Sequence, residues 1–127
     1  MIRTVTSIAA TLSTCASLCA KPIDVYFGCV GKDSKGIYRA KFDTGSGKLS
    51  TPELAGEARG PGFLAWHPEA DKIYAVCGVE GGPGVAGFRV AEDGSHEPFT
   101  LAPITDGGGT HIAVHPSGKF LLTALYA

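Results

Sequence analysis

The chain has 127 residues, a net charge of −1, and 18% charged residues against 44% hydrophobic ones. That balance excludes a disordered polyelectrolyte, and the lack of a basic tract excludes nucleic-acid binding by phosphate neutralisation. Gly and Pro make up about a fifth of the chain, Asn and Gln are absent, and the length fits one domain rather than a large multidomain enzyme.

Residues 1–20 open on Arg3 and then run without charge to Lys21, through Ile8, Leu12 and Leu18, ending on the small residue Ala20. A basic start, an apolar middle and a small-residue end resemble a secretory signal peptide. Leu18 is larger than the cleavage rule prefers. A lipoprotein leader around 12–15 is the alternative, with Thr14 a poor residue before Cys15. The stretch is too short and too rich in hydroxyls to span a membrane. A cleaved leader implies a periplasmic or secreted protein; the alternative is a cytoplasmic one.

From residue 21 onward the chain reads as strand and turn. IDVYFGC at 23–29 and GIYRAKFD at 36–43 are strands, joined through TGSGK at 44–48 to a further strand near 48–57. Gly tolerates the positive φ that such turns need. Strands follow at 63–67, 72–77, 84–91, 98–103, 111–115 and 119–125. No convincing helical stripe interrupts them. Trp66 alternates with Leu64 and is expected in the core, whereas His96, beside Asp93 and Glu97 in a hairpin turn, is expected to be exposed. Cys29 and Cys77 could pair in an exported protein, but two thiols on strands is the preferred reading.

The strands repeat. Ala65, His67 and Pro68 recur as Ala113, His115 and Pro116, an offset of 48 residues. Val25, Tyr26 and Cys29 stand 48 residues before Ile73, Tyr74 and Cys77. Four strands per period of this length are the signature of a β-propeller blade. The fold expected is therefore all-β, an incomplete propeller of four-stranded antiparallel blades. Residues 23–58 form a first blade without its innermost strand, 59–105 a second, and 106–127 the start of a third. A ring needs at least four blades, and this is about two and a quarter, so the chain reads as the N-terminal part of a longer protein. His67 and His115 recur with the turn and are read as turn residues.

VYFG at 25–28, KDSKGIYRAKFDTGSGKLS at 32–50, GFLAWHP at 62–68, KIYAVC at 72–77 and GGGTHIAVHPSGKFLLTALYA at 107–127 carry a family resemblance. Together they resemble the lactonase-type seven-bladed propellers, the 6-phosphogluconolactonase and carboxymuconate-cyclase-like proteins. The resemblance covers roughly residues 23–127 but only the first third of such a propeller. It implies hydrolysis of a sugar lactone such as 6-phosphogluconolactone, in carbohydrate metabolism. The chain departs from the family where GTYT would stand at 28–31, where an Asn-Glu pair would stand near CGVEGG, and where ANYG would stand at 124–127. The absent Asn residues bear on the binding surface more than on the fold.

A lactonase must deliver water to an ester carbonyl and hold the oxyanion that forms. His111, after the glycines at 107–109, matches the family's His in this pattern and is the first candidate, as base or substrate donor. Glu80, in a Gly-rich loop, roughly matches the Glu of the Asn-Glu pair. Arg59, just before an innermost strand, could meet a phosphate or carboxylate of the substrate. GGPGVAG at 81–87 is not a phosphate loop, because no Gly-Lys-Ser/Thr follows. No spacing of Cys, His or carboxylates suggests a metal, and no cofactor is implied. The partner expected is a small-molecule lactone, with no nucleic acid and no membrane span. Catalysis would need residues from later blades, so these residues alone are expected to be inactive. The alternatives are an exported, non-catalytic binding propeller or a truncated, inactive gene product.

Overall fold

The computed structural model describes residues 21–126. The leader expected at 1–20 lies outside the described residues. Among the latter there is no helix, and ten strands follow one another. They are β1 (Ile23–Gly28), β2 (Gly36–Asp43), β3 (Lys48–Leu49), β4 (Glu53–Glu57), β5 (Arg59–Trp66), β6 (Lys72–Val79), β7 (Gly82–Val90), β8 (His96–Pro103), β9 (Gly108–Val114) and β10 (Leu121–Tyr126).

Three antiparallel sheets result. In the first, β2 pairs with β1 on one side and with β3 and β4 on the other; the second is the meander β5-β6-β7-β8; the third is the hairpin β9-β10. These are propeller blades, the middle one complete with four strands. The strand expected near 48–57 splits into β3 and β4. Pro52 lies in the gap and has no N–H to donate to a ladder, while Ser50 leaves β3 with its N–H on the Lys41 carbonyl at 2.9 Å. The turn at 44–48 is built as its composition requires. The Asp43 carboxylate accepts from the N–H groups of Gly45 and Ser46, at 2.8 and 3.2 Å, and Gly47 takes φ +70°.

The middle blade is buried on both faces. Along β6, Ile73, Ala75, Cys77 and Val79 face the first blade, and Tyr74 and Val76 face the third. Alternate side chains of a strand point to opposite faces, so a strand covered on both sides must be apolar throughout. That is why KIYAVCGV carries no alternation. Ile37 and Phe88 close the first seam, and Ile112 and Val85 the second.

Three expectations are corrected. His96 is only 6% exposed, because β8 begins at that residue and turns its ring into the first seam. Trp66 is 46% exposed; it lies edge-on to Tyr26, with ring centroids 5.3 Å apart, at the rim of that seam. The strand expected at 111–115 begins earlier, since Gly108 and Gly109 already pair with Tyr126 and Leu125 in β9. A Cβ on Gly109 would stand 2.7 Å from Val76, so the strand passes closer to β6 than any other residue would allow. Cys29 and Cys77 are free thiols, the second buried.

Candidate functional site

At the end where β5 and β9 begin, the second blade opens toward the first blade and into its seam with the third. There β5 carries a bulge: Arg59 pairs with Gly78 and Phe63 with Val76, so three residues of β5 stand where β6 has one. Those residues are Gly60, Pro61 and Gly62, and Gly60 sits at φ +57°, in the left-handed region. Bulges bend a strand and re-aim its side chains. Here the bulge lays the stem of Arg59 across Gly78, where a Cβ would stand 2.8 Å from the Arg59 Cδ. The Arg59 Nη1 donates to the Val79 carbonyl at 3.4 Å.

Arg59 thereby becomes the charged wall of a cavity of about 560 Å³. The remaining walls are Val30, Val76, Cys77, Pro83 and a set of glycines that includes Gly62 and Gly109. Burial pushes the Cys77 thiol up, and the nearby Arg59 charge only partly opposes this. The group is therefore a thiol rather than a thiolate, and it is no nucleophile at neutral pH. A neighbouring cavity of about 500 Å³ is walled by Glu80, Ile104, Thr105 and Gly107. The two cavities share Gly82, Pro83 and Gly108.

Two of the three candidate residues are thus brought to one end of the second blade. The third stands apart. His111 is exposed on β9 and lines neither cavity. Its ring is tilted against Phe63 of β5, with centroids 4.4 Å apart. A second bulge lies beside it, since Ala124 pairs with His111 but Leu125 with Gly109. The residue left over is Thr110, whose hydroxyl donates to the Ala124 carbonyl at 3.3 Å. Both innermost strands are therefore kinked near the residues that face this seam.

The arrangement can hold an anion against a guanidinium in a glycine-lined space, and it presents an imidazole on a neighbouring strand. Among the described residues no three His, Cys, Asp or Glu side chains gather as a metal site would need. The Gly60–Gly62 bulge was not anticipated from the sequence, although GPG directly after Arg59 is its signal.

A family model described as lactonase, 7-bladed beta-propeller, matches residues 24–127. Uncharacterized proteins from two staphylococci are similar. The one from Staphylococcus saprophyticus is 28% identical over 96 residues, covering 75% of this chain and 27% of that protein. The one from Staphylococcus epidermidis is 32% identical over 103 residues, covering 80% and 30%. Among solved structures, a protein from Lactobacillus plantarum superposes with a TM-score of 0.71 at 24% identity, over 83% of this chain and 30% of its own. A provisionally named 6-phosphogluconolactonase from Bacteroides uniformis superposes at 0.73 with 21% identity, over 84% and 31%. A second one, from Bacteroides fragilis, gives 0.67 and 24%, over 87% and 31%. Such identities show a shared fold. The chain spans less than a third of the length of each of these proteins.

Proposed function

Because the chain belongs to the lactonase family of seven-bladed β-propellers, we propose that in the closed ring it contributes to hydrolysis of a sugar lactone such as 6-phosphogluconolactone. Fold alone does not fix chemistry. The observation that carries the reading is Arg59, the one charged side chain among the residues lining a cavity otherwise walled by glycines and small apolar groups. A guanidinium over a space of about 560 Å³ suits an anionic, ring-sized substrate.

In this reading Arg59 takes the anionic group of the substrate and fixes its position. His111 removes a proton from water, whose oxygen adds to the lactone carbonyl carbon. The oxyanion that forms collapses by breaking the ring C–O bond, and the ring oxygen leaves with a proton as the hydroxyl of a hydroxy acid. Glu80 orients the substrate's hydroxyls or assists the proton transfer. Donors to the oxyanion come from backbone N–H groups or from other blades.

The test is acid release from δ-lactones at constant pH, with the full-length protein. Wild type is expected to exceed buffer, and His111→Ala to slow turnover by about 10²–10⁴-fold. Arg59→Ala is expected to raise KM for a phosphorylated lactone more than for its unphosphorylated counterpart. Equal rates for wild type and His111→Ala would overturn the role of His111. A wild type no faster than buffer would leave the second reading, a non-catalytic binding propeller. That reading is favoured by the position of His111, outside both cavities. It predicts Arg59-dependent binding of the lactone without turnover.

A further inference from the structure

The seam between the first two blades holds a polar side chain with nothing to bond to. His96 opens β8, and both of its ring nitrogens are buried without a hydrogen-bond partner. The ring lies edge-on to Tyr26 of β1, with centroids 5.0 Å apart, and to Phe88 of β7, at 6.2 Å. Gly56 of β4 makes room for it, since a Cβ there would stand 2.6 Å from the His96 Cβ. The imidazole therefore fills the space between elements of two blades. A neutral ring can do this at the cost of two unsatisfied atoms; a charged ring there would give up its hydration with neither ring nitrogen hydrogen-bonded as placed.

The surroundings do not compensate a charge. Tyr26 faces the ring from β1, and its hydroxyl is pushed up mainly by burial. Arg39 from β2 is a cation and opposes a second positive charge. It is already engaged, with Asp24 at 3.6 Å and with the Asp93 carbonyl on the turn before β8. β4 presents the backbone of Ala55 and Gly56, and β7 presents Phe88. The carbonyls of Gly94 and Ala55 favour the charged ring, but neither accepts a hydrogen bond from it. Desolvation outweighs them and pushes the imidazole below its ordinary range.

We propose that His96 is an acid-sensitive latch: a proton taken up by the ring drives it from between Tyr26 and Phe88 and frees the first blade from the second. The direction follows from linkage. Above the ordinary imidazole value of about 6.5 the ring is neutral in both folded and unfolded chains, and its contribution is complete. Below that value the unfolded chain binds the proton first, so stability falls with pH until the folded ring also charges. In that window the folded-to-unfolded ratio drops by up to about tenfold per pH unit. Asp43 and Asp93 act elsewhere. Hydrogen bonds from Ser46 and from Ser95 hold their carboxyls below the usual range, so their contributions are lost only in stronger acid.

The test is urea unfolding of the full chain at several pH values from 7.5 down to 5, with His96→Phe alongside. Wild type is expected to lose folding ratio as pH falls below 6.5, by at most about tenfold per pH unit, and His96→Phe to lose clearly less. Hydrogen exchange in β1 and β4 is expected to quicken over the same window in wild type. Parallel pH dependences in the two proteins would overturn the proposal. If His96→Phe does not fold, the ring of wild type is titrated by NMR. Titration below the ordinary value supports the latch, and titration at or above it overturns the latch.

Discussion

Gly118 shows how narrowly single residues are specified in this chain. It stands at φ +70°, and a Cβ there would lie 2.4 Å from the Nε2 of His67. The His67 Nε2 is 3.2 Å from the Gly118 carbonyl, while its Nδ1 accepts the Glu69 N–H at 3.1 Å. With Nδ1 accepting, the Nε2–H donates to the Gly118 carbonyl. The two His-Pro turns read from the sequence as a repeat thus touch each other, the His of one blade bonded to the Gly of the next. Gly118→Ala is expected to cost about 1–2 kcal/mol from the left-handed backbone alone, read from denaturant midpoints. Gly31→Ala is the control, with no positive φ and no atom within 4 Å of the new methyl. It should stay within about 0.5 kcal/mol of wild type. Equal losses for the two would overturn both the backbone penalty and the cost of crowding His67. His96 gives the opposite lesson. Its neighbours Asp93, Ser95 and Glu97 read as solvent-facing, and only the missing side chain of Gly56, 40 residues away in the chain, creates its niche.

At the scale of elements, strands with an unambiguous pattern were legible. The span 36–43 is β2 as read, and the apolar run at 72–77 is the body of β6, the strand with two covered faces. What local pattern cannot show is a strand defined by contact. Gly108 and Gly109 have poor strand propensity and nevertheless begin β9, and at Gly109 only glycine fits against Val76. The candidate site was legible to the same degree. Arg59 reads as standing just before an innermost strand and Glu80 in a Gly-rich loop, but the bulge that turns Arg59 onto Gly78 depends on register, which no local pattern gives. Phe88 tests the packing of the first seam. It is 1% exposed and lies against the cluster of Ile37, Ile73 and Ala86. Phe88→Ala is expected to cost about 3–5 kcal/mol, measured by urea unfolding at pH 7.5, where His96 is neutral. A loss under about 1 kcal/mol would mean that the two blades do not unfold as one unit.

At the scale of the whole molecule, the three stacked sheets of the described residues have two outer faces, and among those residues only the middle sheet is covered on both sides. The outer face of the first blade carries an apolar hollow of about 440 Å³ walled by Phe27, Tyr38, Leu49 and Pro52. On the last strand, Leu122 is 58% exposed, Leu125 44% and Tyr126 77%. Exposed apolar surface beside an unpaired strand edge favours association with further chain, of the same or another molecule. The two faces are different surfaces, so contacts between copies would be head-to-tail and need not close. Expressed as these 127 residues, the protein is expected to self-associate, with a sedimentation coefficient that rises with concentration and with bound hydrophobic dye. Leu122→Lys with Tyr126→Lys, two exposed side chains on the same outer face of β10, should lower both without weakening the seams around the middle blade. In a longer chain whose next strands pair with β10, the same two substitutions would instead put charge inside a seam and lower the unfolding midpoint. The pair of measurements therefore distinguishes an edge that meets solvent from one that meets the rest of a ring. A dye-free monomer at all concentrations would show that β10 is covered within these residues.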